Sequence, residues 1–281
     1  MELLESPAAM SEWAAREKAA GKTIGFVPTM GALHRGHEAL ILRATELSDS
    51  VVVSIFVNRL QFNVASDYDK YPRPIEQDLE ICQRLGVAAV YAPTNDSMYP
   101  DDFDTVVSPG ELAKPMEGSA RPGHFIGMAT VVAKLFNATK ADVAIFGEKD
   151  YQQLAIVRSM VTDLNMGIEI VGYPTVRESD GLALSSRNQR LAPNHRLAAG
   201  VIPTALQAAK DRFERGERDS RILIEMVNTI IGREDSARID YVEIADVRSL
   251  QSVVDIKQEC VLAVAVFFGD VRLIDNIVLK P

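Results

Sequence analysis

The run Val51-Val-Val-Ser-Ile-Phe-Val57 is apolar and largely β-branched on both of its alternating faces. A strand buried on both faces needs helices above and below it, which points to a parallel sheet in a layered α/β architecture. Similar short runs recur at 23–27, 87–91, 142–146 and 168–171, all within the first 175 residues. Between them the spacing predicts helices over 74–85, 124–137 and 150–163, and over 37–47, where apolar residues fall at 40, 41, 44 and 47. Ahead of the first run, Ser6 followed by Pro7 reads as an N-cap and first helical residue, with Gly21 as the stop. Strand, helix and strand at this spacing imply right-handed crossovers, and ligands of such sheets bind beyond the carboxyl ends of the strands. The loops after Val27, Val57 and Phe146 are therefore where chemistry is expected.

After Asn194 the pattern changes. Two helical stretches, roughly 193–215 and 219–232, precede strand-like runs at 238–245, 260–268 and 271–279. This α+β tail is expected to form its own smaller domain, giving 1–175 and 176–281 as the two domains. At 281 residues the chain is long enough to bury a sizeable core without disulfides. Its longest apolar stretch, Cys260–Phe268, is too short for a membrane helix, which needs about 20 residues. The N-terminus carries acids where a signal peptide carries Lys or Arg, so a cytoplasmic protein is expected. Cys82 and Cys260 form neither a CxxC pair nor a zinc knuckle and read as buried apolar residues. With 30 Lys and Arg against 39 Asp and Glu, the net charge of −9 disfavours general nucleic-acid binding.

Three clusters carry candidate chemistry. His34-Arg35-Gly36-His37 follows the first long strand and opens a helix. Gly36 would let a phosphate approach the backbone, and the unpaired N–H groups and positive dipole of the helix N-terminus would attract it. The imidazoles would donate hydrogen bonds to charge building on that phosphate. A zinc site needs a third ligand, and the HExxH pattern is absent here. Phe146-Gly-Glu-Lys-Asp150 repeats the strand-to-helix arrangement, with Lys149 as a mobile cation for nucleotide phosphate or, alternatively, a solvated side chain beside a capped helix. The third cluster, Arg177–Asn188, offers two hydroxyls and a guanidinium on a glycine-containing loop, which reads as a flexible polyphosphate clamp or as a polar inter-domain linker.

These segments resemble the pantothenate synthetases (pantoate–β-alanine ligases) of the HxGH-type nucleotidyltransferase superfamily. The resemblance rests on Pro28–His37, Val53–Asn58, Gly147–Gln153, Asp180–Asn188, Arg121-Pro-Gly-His-Phe125 and Lys134–Asn137, and runs from about residue 20 to the C-terminus. It implies a Rossmann-type nucleotide- and pantoate-binding domain, a smaller C-terminal α+β lid, and a homodimer. The implied reaction has two steps: ATP and pantoate give pantoyl adenylate and pyrophosphate, then β-alanine displaces AMP to give pantothenate, the precursor on the way to coenzyme A.

Carried over position by position, the resemblance puts ATP against Met30, Gly31, Ala32, Leu33, His34, Arg35, Gly36 and His37. It completes the nucleotide site with Gly147, Glu148, Lys149, Asp150, Val176, Leu184, Ser185, Ser186 and Arg187. His37, His34 and Lys149 are the expected catalytic groups, with His37 the residue usually assigned proton donation. Met30, Gln61 and Gln153 are expected at pantoate, and Gln61 with Asn58 at β-alanine. Neutral amides suit a carboxylate nucleophile, because a direct cation would lower its nucleophilicity. Mg²⁺ is implied on the phosphates of ATP, with no protein cage identified for it. The chain departs from the family pattern Val-Asn-Pro-x-Gln-Phe at Arg59, and loss of that proline is expected to loosen the backbone beside Asn58 and Gln61. From the fold alone, another adenylyl- or cytidylyltransferase, an aminoacyl-tRNA synthetase fragment, or a non-catalytic nucleotide binder remains open. The acidic balance and single Trp13 speak against the tRNA reading.

Overall fold

Six parallel strands carry the N-terminal part of the chain: β1 (Glu2–Leu4), β2 (Ile24–Thr29), β3 (Ser50–Ile55), β4 (Ala89–Tyr91), β5 (Val143–Gly147) and β6 (Glu169–Tyr173). They lie in the order β1-β4-β3-β2-β5-β6 in this computed structural model, which describes residues 1–63 and 65–281. From β2 the chain steps outward through β3 to β4, then returns to place β5 on the other side of β2. The order therefore reverses between β2 and β5, and a crevice beyond their carboxyl ends is where this topology holds a ligand. The loop holding His34 and His37 leaves β2 there, and the Gly147–Asp150 segment leaves β5.

β3 is buried along nearly its whole length, as its two-faced apolar run requires. The helices Pro7–Ala19, Arg35–Leu47, Ile75–Arg84, His124–Thr139 and Tyr151–Asp163 cover the sheet. Phe26, Trp13, Met128, Phe136, Phe146 and Leu154 meet in one apolar cluster, while Val27, Ile41, Val53, Val90 and Ile145 build another. Each such fully buried side chain contributes roughly 1.5–3 kcal/mol relative to an exposed one. The first helix starts as its sequence requires, with Ser6 Oγ accepting the N–H of Ala9 and Pro7 at the first helical position. The short edge strand β1 was not expected; three residues with one buried side chain leave no alternation to read.

By internal contacts the chain divides into two compact units, Met1–Ala113 with Arg121–Glu148 and Gln153–Pro174, and Lys114–Ala120 with Lys149–Gln152 and Thr175–Pro281. A single boundary does not foresee the two short excursions, 114–120 and 149–152, that join the second unit. That unit holds an antiparallel sheet of β7 (Ala237–Asp246), β8 (Cys260–Phe268) and β9 (Val271–Leu279), in that order. Its core is the apolar face of β8 packed with Leu206, Phe213, Leu223, Val227 and Ile231 from the helices Val201–Glu214 and Ser220–Ile231. The stretch expected as one helix over 193–215 is two, Pro193–Ala198 and Val201–Glu214. Pro203 explains the break, because a continuous helix would drive its ring into the carbonyl of Ala199. No helix among the described residues is long and apolar enough to cross a membrane.

Candidate active site

The loop after β2 is built around a buried carboxylate. Gly31 and Ala32 both take positive φ, and the turn they make aims successive amides inward. Asp78, 1% exposed on the helix Ile75–Arg84, accepts the N–H of Ala32 at 2.9 Å and of Leu33 at 2.7 Å. Burial raises the Asp78 carboxyl above its ordinary range, and the two amide hydrogen bonds oppose that rise. A side chain at Gly31 would meet Asp78 Oδ2 at 2.9 Å besides being strained at φ +81. Asp78 was missed in the sequence, although a signal exists. It sits four residues before the buried Cys82, on the apolar face of an amphipathic helix where a carboxylate must have a partner.

His34 and His37 cap the helix Arg35–Leu47, which begins two residues earlier than its apolar stripe indicates. His34 is the N-cap, and its Nδ1 accepts the N–H of Gly36 at 3.1 Å. His37 Nδ1 accepts the N–H of His34 at 3.3 Å, completing a reciprocal box made of two imidazoles. The two rings lie 4.1 Å apart. An imidazole that accepts at Nδ1 in its neutral form carries its proton on Nε2, so both rings present an Nε2–H donor. The amides of Gly31, Ala32, Leu33, His34 and Gly36 are engaged by Thr29, Asp78, His37 and His34. Arg35 is exposed at the start of the helix.

The loop after β3 closes on a second network. Asn58 caps the short turn Arg59–Gln61, its Oδ1 3.4 Å from the N–H of Leu60. Tyr99 donates its hydroxyl to the same Oδ1 at 2.7 Å, while Asn58 Nδ2 donates to the Gly127 carbonyl and to Gln61 Oε1. A carbonyl only accepts, so Gly127 fixes which end of the Asn58 amide faces it. That choice turns the Gln61 Nε2 donor toward Met30 Sδ, 3.4 Å away. Asn58 is 1% exposed with all its hydrogen-bonding capacity used inside the protein. Within the protein, one of those bonds ties Asn58, expected at β-alanine, to Gln61. His124 Nδ1 lies 2.8 Å from the Gln61 carbonyl, which Arg121 Nη2 also reaches at 3.1 Å. The helix His124–Thr139 approaches so closely that a Cβ on Gly127 would lie 2.2 Å from the Leu60 carbonyl oxygen.

Arg59 heads the short turn Arg59–Gln61. It occupies the first position after the Asn58 cap, and its guanidinium lies 5.7 Å from the centroid of the Tyr99 ring. A cavity of about 350 Å³ lies against the same elements, lined in part by Met30, Gly31, Val57, Tyr68, Asp78 and Asn95. Gln153, expected at pantoate, is half-buried on the helix Tyr151–Asp163.

In the second unit, Lys149 is half-buried with its ammonium 3.8 Å from Asp150. The segment from Val176 to Arg190 carries several hydrogen bonds of its own. Arg177 pairs with Ala183 in a β-bridge, Leu184 donates to the Val176 carbonyl, and Ser185 Oγ caps the turn Ser186–Arg190 by accepting the N–H of Arg187. Arg196 holds Glu178 and Asp180 at 2.9 and 2.7 Å, and those bonds keep both carboxyls below their ordinary range. Arg177 is not a phosphate ligand here: its guanidinium is bidentate to the buried Asp275 at 2.7 and 3.0 Å. Ser186 is buried, and Leu184, Ser185 and Arg187 are half-buried. The cysteines are inert, burial pushing Cys82 up to about 12 and Cys260 up to about 11.

A parallel doubly wound sheet with a histidine-capped helix after β2 is the arrangement expected of nucleotide-dependent transferases and ligases of the HxGH type. The Pantoate-beta-alanine ligase family model matches residues 2–278, and the chain belongs to that family. It is 48% identical over 280 residues to the pantothenate synthetase of Heliobacterium modesticaldum, covering 100% of both chains. It is 47% identical over 279 residues to that of Geotalea daltonii, covering 99% of each. Among solved structures, pantothenate synthetase from Thermus thermophilus superposes with a TM-score of 0.94 at 43% identity, covering 100% of both chains. Pantoate-beta-alanine ligase from Francisella tularensis, complexed with beta-gamma ATP and beta-alanine, superposes with a TM-score of 0.80 at 35% identity over 99% of this chain and 97% of that one. The activity of this chain is ATP-dependent ligation of pantoate with β-alanine.

Proposed function

We propose that the ligation runs through an enzyme-bound pantoyl adenylate, with the residues named above in the following roles. A pantoate carboxylate oxygen attacks the α-phosphorus of ATP, forming a P–O bond while the bond to the pyrophosphate oxygen breaks. The Nε2–H groups of His34 and His37 donate to oxygens whose charge grows in that step, where loss of one such donor costs about 2.7–4 kcal/mol. Lys149 supplies a cation to the phosphates, and the Ser185, Ser186 and Arg187 turn supplies further donors. Val176, Leu184 and the segments Met30–Leu33 and Gly147–Asp150 are assigned to the nucleotide.

Gln61, turned donor-outward by Asn58, and Gln153 orient pantoate through its oxygens without neutralising the nucleophile. In the second step the uncharged amine of β-alanine attacks the acyl carbon, the C–N bond forms, the C–O bond to AMP breaks, and the proton lost from nitrogen passes to the departing AMP phosphate or to water. Mg²⁺, carried on the phosphates of ATP, would supply charge neutralisation there. No three His, Cys, Asp or Glu side chains are grouped to hold a metal among the described residues. A homodimer and a cytoplasmic location belong to the same proposal, the latter supported by two separately buried free thiols.

The observation that carries this reading is the two-imidazole cap after β2, which sets both Nε2–H donors with one hydrogen-bond arrangement. It is tested by following pyrophosphate release with ATP and pantoate, then adding β-alanine. A burst of pyrophosphate before β-alanine, with AMP released only after it, supports the adenylate. Pyrophosphate release that strictly requires β-alanine contradicts it.

A further inference from the structure

We propose that Asn276, near the end of the chain, is a positioning residue for the ligation, setting the main chain from which Lys149 reaches. The inference rests on the role assigned to Lys149 above. Asn276 lies on β9, an edge strand of the three-stranded sheet, and is buried. Its Nδ2 donates to the Lys149 carbonyl at 2.8 Å. A lysine side chain is a long flexible stem, so its ammonium is placed only as well as its Cα is held. Lys149 follows the end of β5 and precedes the helix Tyr151–Asp163, in the segment 149–152 that belongs to the same compact unit as Asn276.

Asn276 is itself held. On an edge strand, main-chain groups on the outer side have no neighbouring strand to pair with. Here the Asn276 N–H donates to Asp275 Oδ1 at 2.8 Å, and its carbonyl lies 3.4 Å from Arg177 Nη2. Arg177 is bidentate to Asp275 and also donates to the Gly181 carbonyl at 3.0 Å. The pair Arg177–Asp275 therefore seals the strand edge at Asn276 and ties it to the loop that continues to Ser185–Arg187. One point of β9 thereby fixes two segments assigned to the nucleotide, which explains why Arg177 is used internally.

The test is a double-mutant cycle on the full-length enzyme, using Asn276→Leu, Lys149→Ala and both together. The rate of pyrophosphate release and the KM values for ATP and β-alanine are measured, with melting temperature as a folding control. Asn276→Leu keeps the side-chain size but removes the donor. It is expected to lower kcat/KM for ATP by about 10- to 100-fold, as displaced catalytic groups do, with the KM for β-alanine unchanged. In the Lys149→Ala background the same change should have less than about a threefold effect, because the two residues then act as a unit. Asn276→Ser, which retains a hydroxyl donor, should recover part of the loss and serves in place of Leu if that variant does not fold. Equal losses from Asn276 substitution with and without Lys149 would overturn the proposal and leave Asn276 a structural residue. Full activity of Lys149→Ala alone would instead overturn the role of Lys149, and the proposal with it.

Discussion

His37 Nδ1 accepts the main-chain N–H of His34 at 3.3 Å, so the bond that caps the helix also selects the tautomer that carries its proton on Nε2. Structure and chemistry can then be separated by mutation. Removing a cap costs about 0.5–2 kcal/mol of stability, whereas losing a donor to transition-state charge costs roughly 100- to 1000-fold in rate. His37→Ala and His34→Ala should each lower pyrophosphate release by that larger factor while melting only a few degrees lower. Rates equal to the parent in folded variants would reduce both imidazoles to caps.

Asp78→Asn tests whether the loop Gly31–Leu33 is held from beneath. The amide offers one oxygen where the carboxylate offers two, so one of the Ala32 and Leu33 N–H groups loses its acceptor. A buried donor without a partner costs about 1–3 kcal/mol. The variant should unfold at lower denaturant by that amount and bind ATP more weakly, read by urea titration and by isothermal calorimetry. Unchanged stability would show that the loop holds its shape without Asp78.

Much of the fold is legible in the residues, because β3 is largely β-branched and apolar on both faces, β8 is an uninterrupted apolar run, and the helices between strands carry clear stripes. β1 and the break before Val201 are not, since one is three residues long and the other depends on a single ring-to-carbonyl clash. The site divides along the same line. His34, His37 and Lys149 are revealed by their spacing on strand-to-helix turns. Asp78, Tyr99, Asp275 and Asn276 act through buried hydrogen bonds to residues 41 to 127 positions away, and no local spacing encodes such partners. Arg177 shows the converse failure: a cation in a polar loop looks like a phosphate ligand until a buried carboxylate is found to occupy it.

At Gly127 the backbone of one helix touches the turn that carries Gln61. Gly127→Ala would place a methyl carbon 2.2 Å from the Leu60 carbonyl oxygen, and backbone on both sides cannot yield cheaply. Overpacking of this kind costs typically about 1–3 kcal/mol. The melting temperature should fall and the KM for pantoate should rise, with the KM for ATP less affected. A pantoate KM equal to the parent's would separate the turn from substrate binding.

Arg59→Pro is expected to be nearly neutral. Proline suits the first position of the turn and restricts the unfolded chain, a gain of about 0.4–1 kcal/mol, while the cation over Tyr99 is lost at about 0.5–1 kcal/mol. Thermal melts and pantoate saturation close to the parent would support this balance. Weaker pantoate binding in both Arg59→Pro and Arg59→Ala would make the guanidinium a substrate contact.

The Arg196 pairs give a pH signature. Glu178 and Asp180 have lowered folded-state pKa values, chiefly through hydrogen bonds from Arg196, so their stabilisation is present above the ordinary carboxylate range. It is lost as pH falls below about 4, through the folded-state values. Arg196→Met should flatten the acid limb of the melting-temperature profile and change it little at neutral pH, since partly exposed pairs contribute modestly there. An acid limb identical to the parent's would show the pairs to be energetically silent.

The central claim is that pantoate's carboxylate, rather than water or the amine, attacks the α-phosphorus of ATP. Pantoate carrying ¹⁸O in both carboxylate positions, incubated with the enzyme, ATP and β-alanine, reads this directly by mass spectrometry of the products. One ¹⁸O should appear in AMP and one should remain in the amide carbonyl of pantothenate. Label in pyrophosphate, or AMP without label, would contradict the account.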